Sequence, residues 1–301
     1  MRIRLVLGIV GFMVTGLVCL SPAVTAQPPA QKGKAGGQPK GTSKGKDAAS
    51  LTPNQSAPPK GFDEAKADTA RGKVETVELK AKSDGGTYKI SVYTPPGYKP
   101  SEKYPVMYLL HGRSGDETTW TKDIRAAAIL DNLYADKKAV PMIVVMPSNS
   151  SAETRAKGPV SPMAAMAFND VLRADVVPFI ESKYPAKAGR ENRAVAGLSM
   201  GAGQAFAVGL GHADEFAWVG AFSGAGRRIT PPSKELRLLW LSVGDKDAVT
   251  GTGVQEAEAA LTDKKIPHVF RVNTGGHEPS VWRTDLYHFA PKLFQKPSGE
   301  K

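Results

Sequence analysis

The feature that most constrains this chain is a series of short apolar runs separated by stretches with helical spacing. Residues 104–110, 142–146 and 193–198 are nearly continuous in large or small apolar side chains, and 216–222, 236–243 and 268–272 repeat the pattern. Runs this short and this apolar suit strands buried on both faces, which is the condition of a parallel sheet covered by helices. Residues 124–133, 164–184, 201–210, 254–261 and 281–293 have the helical spacing, despite Pro178 within the second. Two earlier strands, 74–81 and 87–93, alternate about the turn Asp84-Gly85-Gly86. The alternation predicts one α/β domain with a mostly parallel central sheet flanked by helices.

The first 71 residues have a different texture. Arg2 and Arg4 precede an apolar run over 5–20, and Val24-Thr25-Ala26 ends it with small residues, the pattern of a secretory signal peptide over 1–26. Residues 27–71 are rich in Pro, Gly, Lys, Ser and Ala and predict a disordered basic linker ahead of a domain at 72–298. Of the formal charge of +11, residues 1–73 carry eleven Lys and Arg against four acids, which leaves no basic stripe on the domain to mark a nucleic-acid binder. The linker charge suits electrostatic tethering to an anionic polymer or surface. Cys19, the single cysteine, lies within the signal and is preceded by Leu17-Val18, which does not suit lipidation; disulfides, thiolate catalysis and Cys-bound metal are excluded from the exported protein. These features predict a secreted or periplasmic protein with no integral membrane span, no cofactor and no metal.

Gly197-Leu198-Ser199-Met200-Gly201 matches G-x-S-x-G, and it lies between a strand-like run and the helix-like run that starts at Ala202. That context is what a nucleophile elbow requires, a sharp turn that exposes a serine hydroxyl at the end of a strand. Serine needs a base, and in this arrangement the acid and then the histidine follow it in the chain. His111 precedes the elbow; His212 reads as a surface cap, His268 opens a strand, and His288 lies in the last helix. His277, in the loop Thr274-Gly275-Gly276-His277-Glu278-Pro279, is the candidate base. The acid is expected after the strand at 236–243, where Asp245 and Asp247 both stand; Asp247, deeper in the loop, is favoured, although spacing leaves Asp245 open. Backbone amides of Met200 and of Arg113, in the loop His111-Gly112-Arg113-Ser114-Gly115, are candidates for the oxyanion hole, with His111 structural.

Tyr108-Leu109-Leu110-His111-Gly112, Ala196 to Gly201, Gly244-Asp245-Lys246-Asp247 and Gly275-Gly276-His277 with Trp282 resemble the feruloyl and acetyl xylan esterases of the first carbohydrate-esterase family, α/β-hydrolases similar to esterase D. Val92 to Tyr98 and Val177 to Glu181 fit the same resemblance, which runs from about Gly72 to Phe294. It implies the α/β-hydrolase fold, Asp247 as the acid and the amide after His-Gly, that of Arg113, in the oxyanion hole. Arg stands at 113 where relatives carry Gly or an aliphatic residue, a guanidinium that would narrow the pocket or meet an anionic group. Trp120 and Trp282 are candidate substrate-stacking residues, with core packing as the competing role.

The expectation is a secreted serine carboxylic-ester hydrolase that removes feruloyl or acetyl groups from plant or cell-wall polysaccharide. An acyltransferase, or a siderophore or other small-ester esterase, uses the same machinery; a non-catalytic carbohydrate-binding module is the alternative of another class. The short segment 224–234 and the polar loop 147–162 leave little material for a cap, which predicts an open site.

Overall fold

The computed structural model describes residues 51–158, 161–226 and 229–295. The expected signal at 1–26 and the larger part of the expected linker lie outside them.

Eight strands form one sheet: β1 (Lys73–Lys80), β2 (Thr87–Thr94), β3 (Val106–Leu110), β4 (Ile143–Pro147), β5 (Arg193–Leu198), β6 (Trp218–Phe222), β7 (Leu238–Gly244) and β8 (Val269–Asn273). Their order is β1-β2-β4-β3-β5-β6-β7-β8, with β2 antiparallel to both neighbours and every other pairing parallel. The helices are α1 (Thr119–Lys122), α2 (Ala126–Ala135), α3 (Ala152–Ala156), α4 (Pro162–Val171), α5 (Val177–Lys183), α6 (Met200–Gly211), α7 (Gly251–Asp263) and α8 (Pro279–Phe289). This is the α/β-hydrolase fold.

All five residues of β3, β4 and β6 are buried, as their continuous apolar runs require. Alternation along each strand divides them between two cores. Val106, Tyr108 and Leu110 of β3 face one core, with Phe168, Leu172, Ile180, Phe206 and Leu261. Met107 and Leu109 face the other, with Ile129, Leu133, Leu286 and Phe289. Helices α4 to α7 therefore cover one face, and α1, α2 and α8 the other.

Two differences from the sequence reading have clear causes. The helix expected over 164–184 contains a π turn at Leu172–Val176, between α4 and α5. Pro178 has no N–H to return to the preceding turn, and a widened turn absorbs the lost bond. The expected linker over 27–71 does not hold as a linker over 51–71, which lies on the domain as a strap. Leu51 packs with Val243, Val254 and Val272. The Asn54 amide donates to Val272 O at 3.0 Å, and Asn54 Oδ1 accepts from Val272 N at 2.9 Å, so one residue pairs with the edge of β8. Phe62 meets Tyr287 edge-on at 5.2 Å, and Asp63 pairs with Arg283 at 3.1 Å. Asn132, buried on α2, donates to the carbonyls of Phe62 and Glu64. Two apolar anchors among many Pro, Gly and Lys read as low hydrophobicity, yet backbone pairing and a salt bridge supply the remainder.

A docked strap has a measurable cost of removal. Phe62→Ala is expected to destabilise the protein by about 1–2 kcal/mol, below the 3–5 kcal/mol typical of a fully buried Phe because this ring is half-exposed. Urea unfolding monitored by circular dichroism measures it, and an unchanged midpoint would contradict the docking.

Candidate active site

The site lies at the carboxyl ends of the parallel strands, beside β3 and β5, where the connections run in opposite directions along the sheet. Ser199 sits between β5 and α6 with φ +54° and ψ −116°, a strained conformation for a residue with a Cβ. The neighbouring geometry holds it there. A methyl group on Gly201 would lie 2.3 Å from Leu110 O, and one on Gly197 would lie 2.4 Å from the carbonyl carbon of Gly201. Both glycines of G-x-S-x-G are therefore required by backbone-to-backbone contact. Ser199 N donates to Phe222 O at 2.8 Å, which ties the elbow to β6.

His277 Nε2 is 2.8 Å from Ser199 Oγ, and Nδ1 is 2.9 Å from Asp247 Oδ2. Asp247 can only accept, so Nδ1 carries the proton and Nε2 is left to accept the serine hydroxyl. Burial alone would raise the Asp247 carboxyl. Hydrogen bonds from His277 and from the Thr250 amide and hydroxyl outweigh it and hold the group well below the usual carboxylate range. The Val249 amide adds a further donor at 2.9 Å.

Asp245 has a different place. Its Oδ1 accepts from Gly275 N at 2.7 Å, and Lys246 N donates to Gly275 O at 2.9 Å. The first aspartate thus fastens the histidine loop to the end of β7, and the second meets the imidazole. A methyl group on Gly244 would lie 2.3 Å from Gly275 O, so the two loops touch backbone to backbone.

Arg113 is exposed in the turn from Gly112 to Gly115, and a Cβ on Gly112 would lie 3.4 Å from Ser199 Cβ. Met200 opens α6, where the first amides have no partner within the helix. The loop of Arg113 is held from behind. Asn149 N donates to His111 Nε2 at 3.1 Å, and Asn149 Nδ2 donates to His111 O and to Gln204 Oε1, each at 2.9 Å. Burial, against the hydrogen bond to Gly112 O, pushes the His111 imidazole down to about 4, so it stays neutral with its proton on Nδ1.

Trp120 is 1% exposed and packs edge-on against Phe222 in the core. Its expected role in stacking on substrate is therefore corrected to core packing, because α1 turns this side chain toward the sheet. Trp282 is half-buried and meets the His277 ring edge-on at 5.1 Å. The loop after β4, expected to be polar and a poor cover, has Ser148, Asn149, Ser150 and Ser151 all buried, with Asn149 bonded to His111.

Three polar groups near the site escaped the sequence reading. Gln204 had a signal, as a lone amide in the apolar start of α6; Asn149, within a serine-rich loop, had none. Asp285 of α8 is fully buried and accepts from Asn273 Nδ2 at 2.6 Å, at the end of the strand that leads to the histidine loop. Burial pushes its carboxyl up to about 7, against the hydrogen bond from Asn273 that holds it down.

The family model described as "Putative esterase" matches residues 81–235, just over half of the chain. The chain belongs to the esterase family. An endo-1,4-beta-xylanase/feruloyl esterase of Xylanibacter ruminicola is 32% identical over 237 residues, covering 76% of this esterase and 32% of that protein. Endo-1,4-beta-xylanase Y of Acetivibrio thermocellus is 33% identical over 127 residues, 38% of this chain and 11% of that one. The esterase thus spans a third or less of the length of these relatives. Among solved structures, a CE1 ferulic acid esterase from Anaeromyces mucronatus superposes with a TM-score of 0.72 at 24% identity, covering 78% of this chain and 96% of that one. A feruloyl esterase module from Clostridium thermocellum gives 0.67 at 22% identity, covering 82% and 94%. The two superpositions agree with the α/β-hydrolase fold, and the family match identifies the chain as a carboxylic ester hydrolase by family.

The raised Asp285 carboxyl sets a direction for stability. In the unfolded chain it ionises near pH 4, as an ordinary Asp does. Between about pH 4 and about 7 the folded state keeps a proton that the unfolded state has lost, so stability falls as pH rises through this window. Asp285→Asn is expected to flatten this fall. Melting temperatures of both proteins from pH 4 to pH 8 decide it, and parallel curves would contradict a titrating Asp285.

Proposed function

We propose that the protein is a serine esterase with Ser199 as nucleophile, His277 as general base and acid, and Asp247 as the group that orients the imidazole. The observation that carries this reading is the unbroken hydrogen-bonded chain from Ser199 Oγ through His277 to Asp247, in one open edge of the sheet. Ser199 Oγ attacks the ester carbonyl while His277 Nε2 takes its proton. The carbonyl oxygen becomes an oxyanion beside the amides of Arg113 and Met200. Collapse expels the alcohol, protonated by His277, and leaves an acyl-Ser199 ester. Water, deprotonated by the same imidazole, then releases the carboxylic acid and restores the serine. Asp247→Asn is expected to lower kcat by a factor on the order of 10⁴, as loss of the acid does in serine proteases. Asp245→Asn, which loosens the histidine loop without removing the orienting carboxylate, should cost far less. Steady-state kinetics on a soluble aryl ester compares them, and the reverse ranking would exchange their roles.

The substrate we propose is a feruloyl or acetyl ester on plant or cell-wall polysaccharide, met outside the cell. The names of the xylanase/feruloyl esterase relatives and the export-like residues 1–26 support this reading. No helix among the described residues is long and apolar enough to cross a membrane. Residues 72–298 form the proposed catalytic domain, with 51–71 strapped to it, and the basic residues ahead of the strap would tether it to anionic polymer.

A long acyl chain needs a tunnel to bury its methylenes at about 0.8 kcal/mol each, and the short segment 224–234 and the polar loop 147–162 leave little material to build one. Short acyl and hydroxycinnamoyl esters are therefore expected to be cleaved far better than long-chain ones. Values of kcat/KM for acetyl, octanoyl, palmitoyl and feruloyl esters test it, and a steady rise toward palmitoyl would contradict the open site.

A further inference from the structure

Beneath the strap, on the side of β8 and α8, is a pocket of about 240 Å³ lined by residues 54–56 and by Trp240, Arg271, His288 and Lys292. No carboxylate lines it. Arg271 and Lys292 have no carboxylate partner among the described residues. Their charges are near enough to act together on His288. Burial pushes that imidazole down, its bond to Ser56 O opposes the shift, and the Arg271 and Lys292 charges push it further down. A neutral His288 donates from Nε2 to Ser56 O at 2.9 Å and takes no further acceptor on that side.

The remaining capacity of the pocket is one-sided. Arg271 lies over the Trp240 ring at 5.8 Å, a cation–π contact that spends none of its N–H donors. Asn54 and Gln55 spend their amides on β8, to Phe270 O and Asn273 Oδ1. The net charge that is left is that of two cations, with no carboxylate in the lining to match it. Like charges held together in a partly enclosed pocket are costly unless a counter-charge joins them. A neutral sugar would leave both cations without a counter-charge; a carboxylate or phosphate group supplies one.

We infer that this pocket binds a small oxyanion, a carboxylate or phosphate group, held by Arg271 and Lys292. It is separate from the Ser199 site and stands independently of the ester chemistry. A bound anion would join β8, the end of α8 and the strap, so binding should stabilise the fold by linkage.

The test is thermal unfolding of the full chain with sodium phosphate, sodium glucuronate, glucose or sodium chloride, the last matched in ionic strength. Phosphate, glucuronate or both should raise the melting temperature in a saturable way, while glucose and chloride should not. Arg271→Gln and Lys292→Gln should each weaken the apparent affinity about tenfold, the loss of one charge-assisted contact. A larger response to glucuronate would identify an acidic glycan as the source of the carboxylate, and a response to phosphate alone would identify a phosphorylated small molecule. Lys292 is exposed, so Lys292→Gln keeps the test sound if Arg271→Gln fails to fold. The inference is overturned if neither anion exceeds chloride, or if the variants respond as the parent protein does.

Discussion

The structure depends on one close approach, the backbone of the elbow against the end of β3. Gly201 lies so near Leu110 O and His111 O that a side chain there would collide with both. This contact fixes α6 against the sheet and places the loop of Arg113 beside Ser199. It also makes the positive φ of Ser199 tolerable, since packing and hydrogen bonds on both sides over-determine the turn. Each other part of the site is then held by a similar device. Gly244 lets the acid and histidine loops touch, Asp245 fastens Gly275, and Asn149 with Gln204 braces His111. Ser199, Asp247 and His277 sit on loops or turns, but these are anchored at the ends of buried strands.

Much of this was legible in the sequence, for a physical reason. Parallel strands are buried on both faces, so β3, β4 and β6 appear as continuous apolar runs that few other structures produce. The elbow was legible because its glycines answer to steric contacts that allow no alternative. Strand ends were less so: Tyr104 looked like part of β3, but Pro105 cannot donate to the ladder and the strand begins at Val106. Spacing could not separate Asp245 from Asp247, because both follow one strand and only the path of the loop decides which reaches the imidazole. For Trp120 the sequence left substrate stacking and core packing both open, for want of any sign that the single turn of α1 faces inward.

The strap shows a different limit. Composition averages over many residues, and over 51–71 it is that of a disordered segment. Docking here rests on a few specific contacts instead: Asn54 completes the edge of β8, Phe62 fills a gap beside Tyr287, and Asp63 meets Arg283. All of these lie on β8 or α8, the two elements that flank the loop of His277. Covering the β8 edge also removes an open row of backbone donors and acceptors that would otherwise invite pairing with another chain.

The central claim is that Ser199 carries the acyl group. Its most direct measurement is mass spectrometry of the protein after reaction with a fluorophosphonate, with the adduct mapped by peptide digestion. A single adduct on the peptide that contains Ser199, absent together with ester hydrolysis in Ser199→Ala, is the predicted result. A label on another residue, or substantial hydrolysis by Ser199→Ala, would contradict the account.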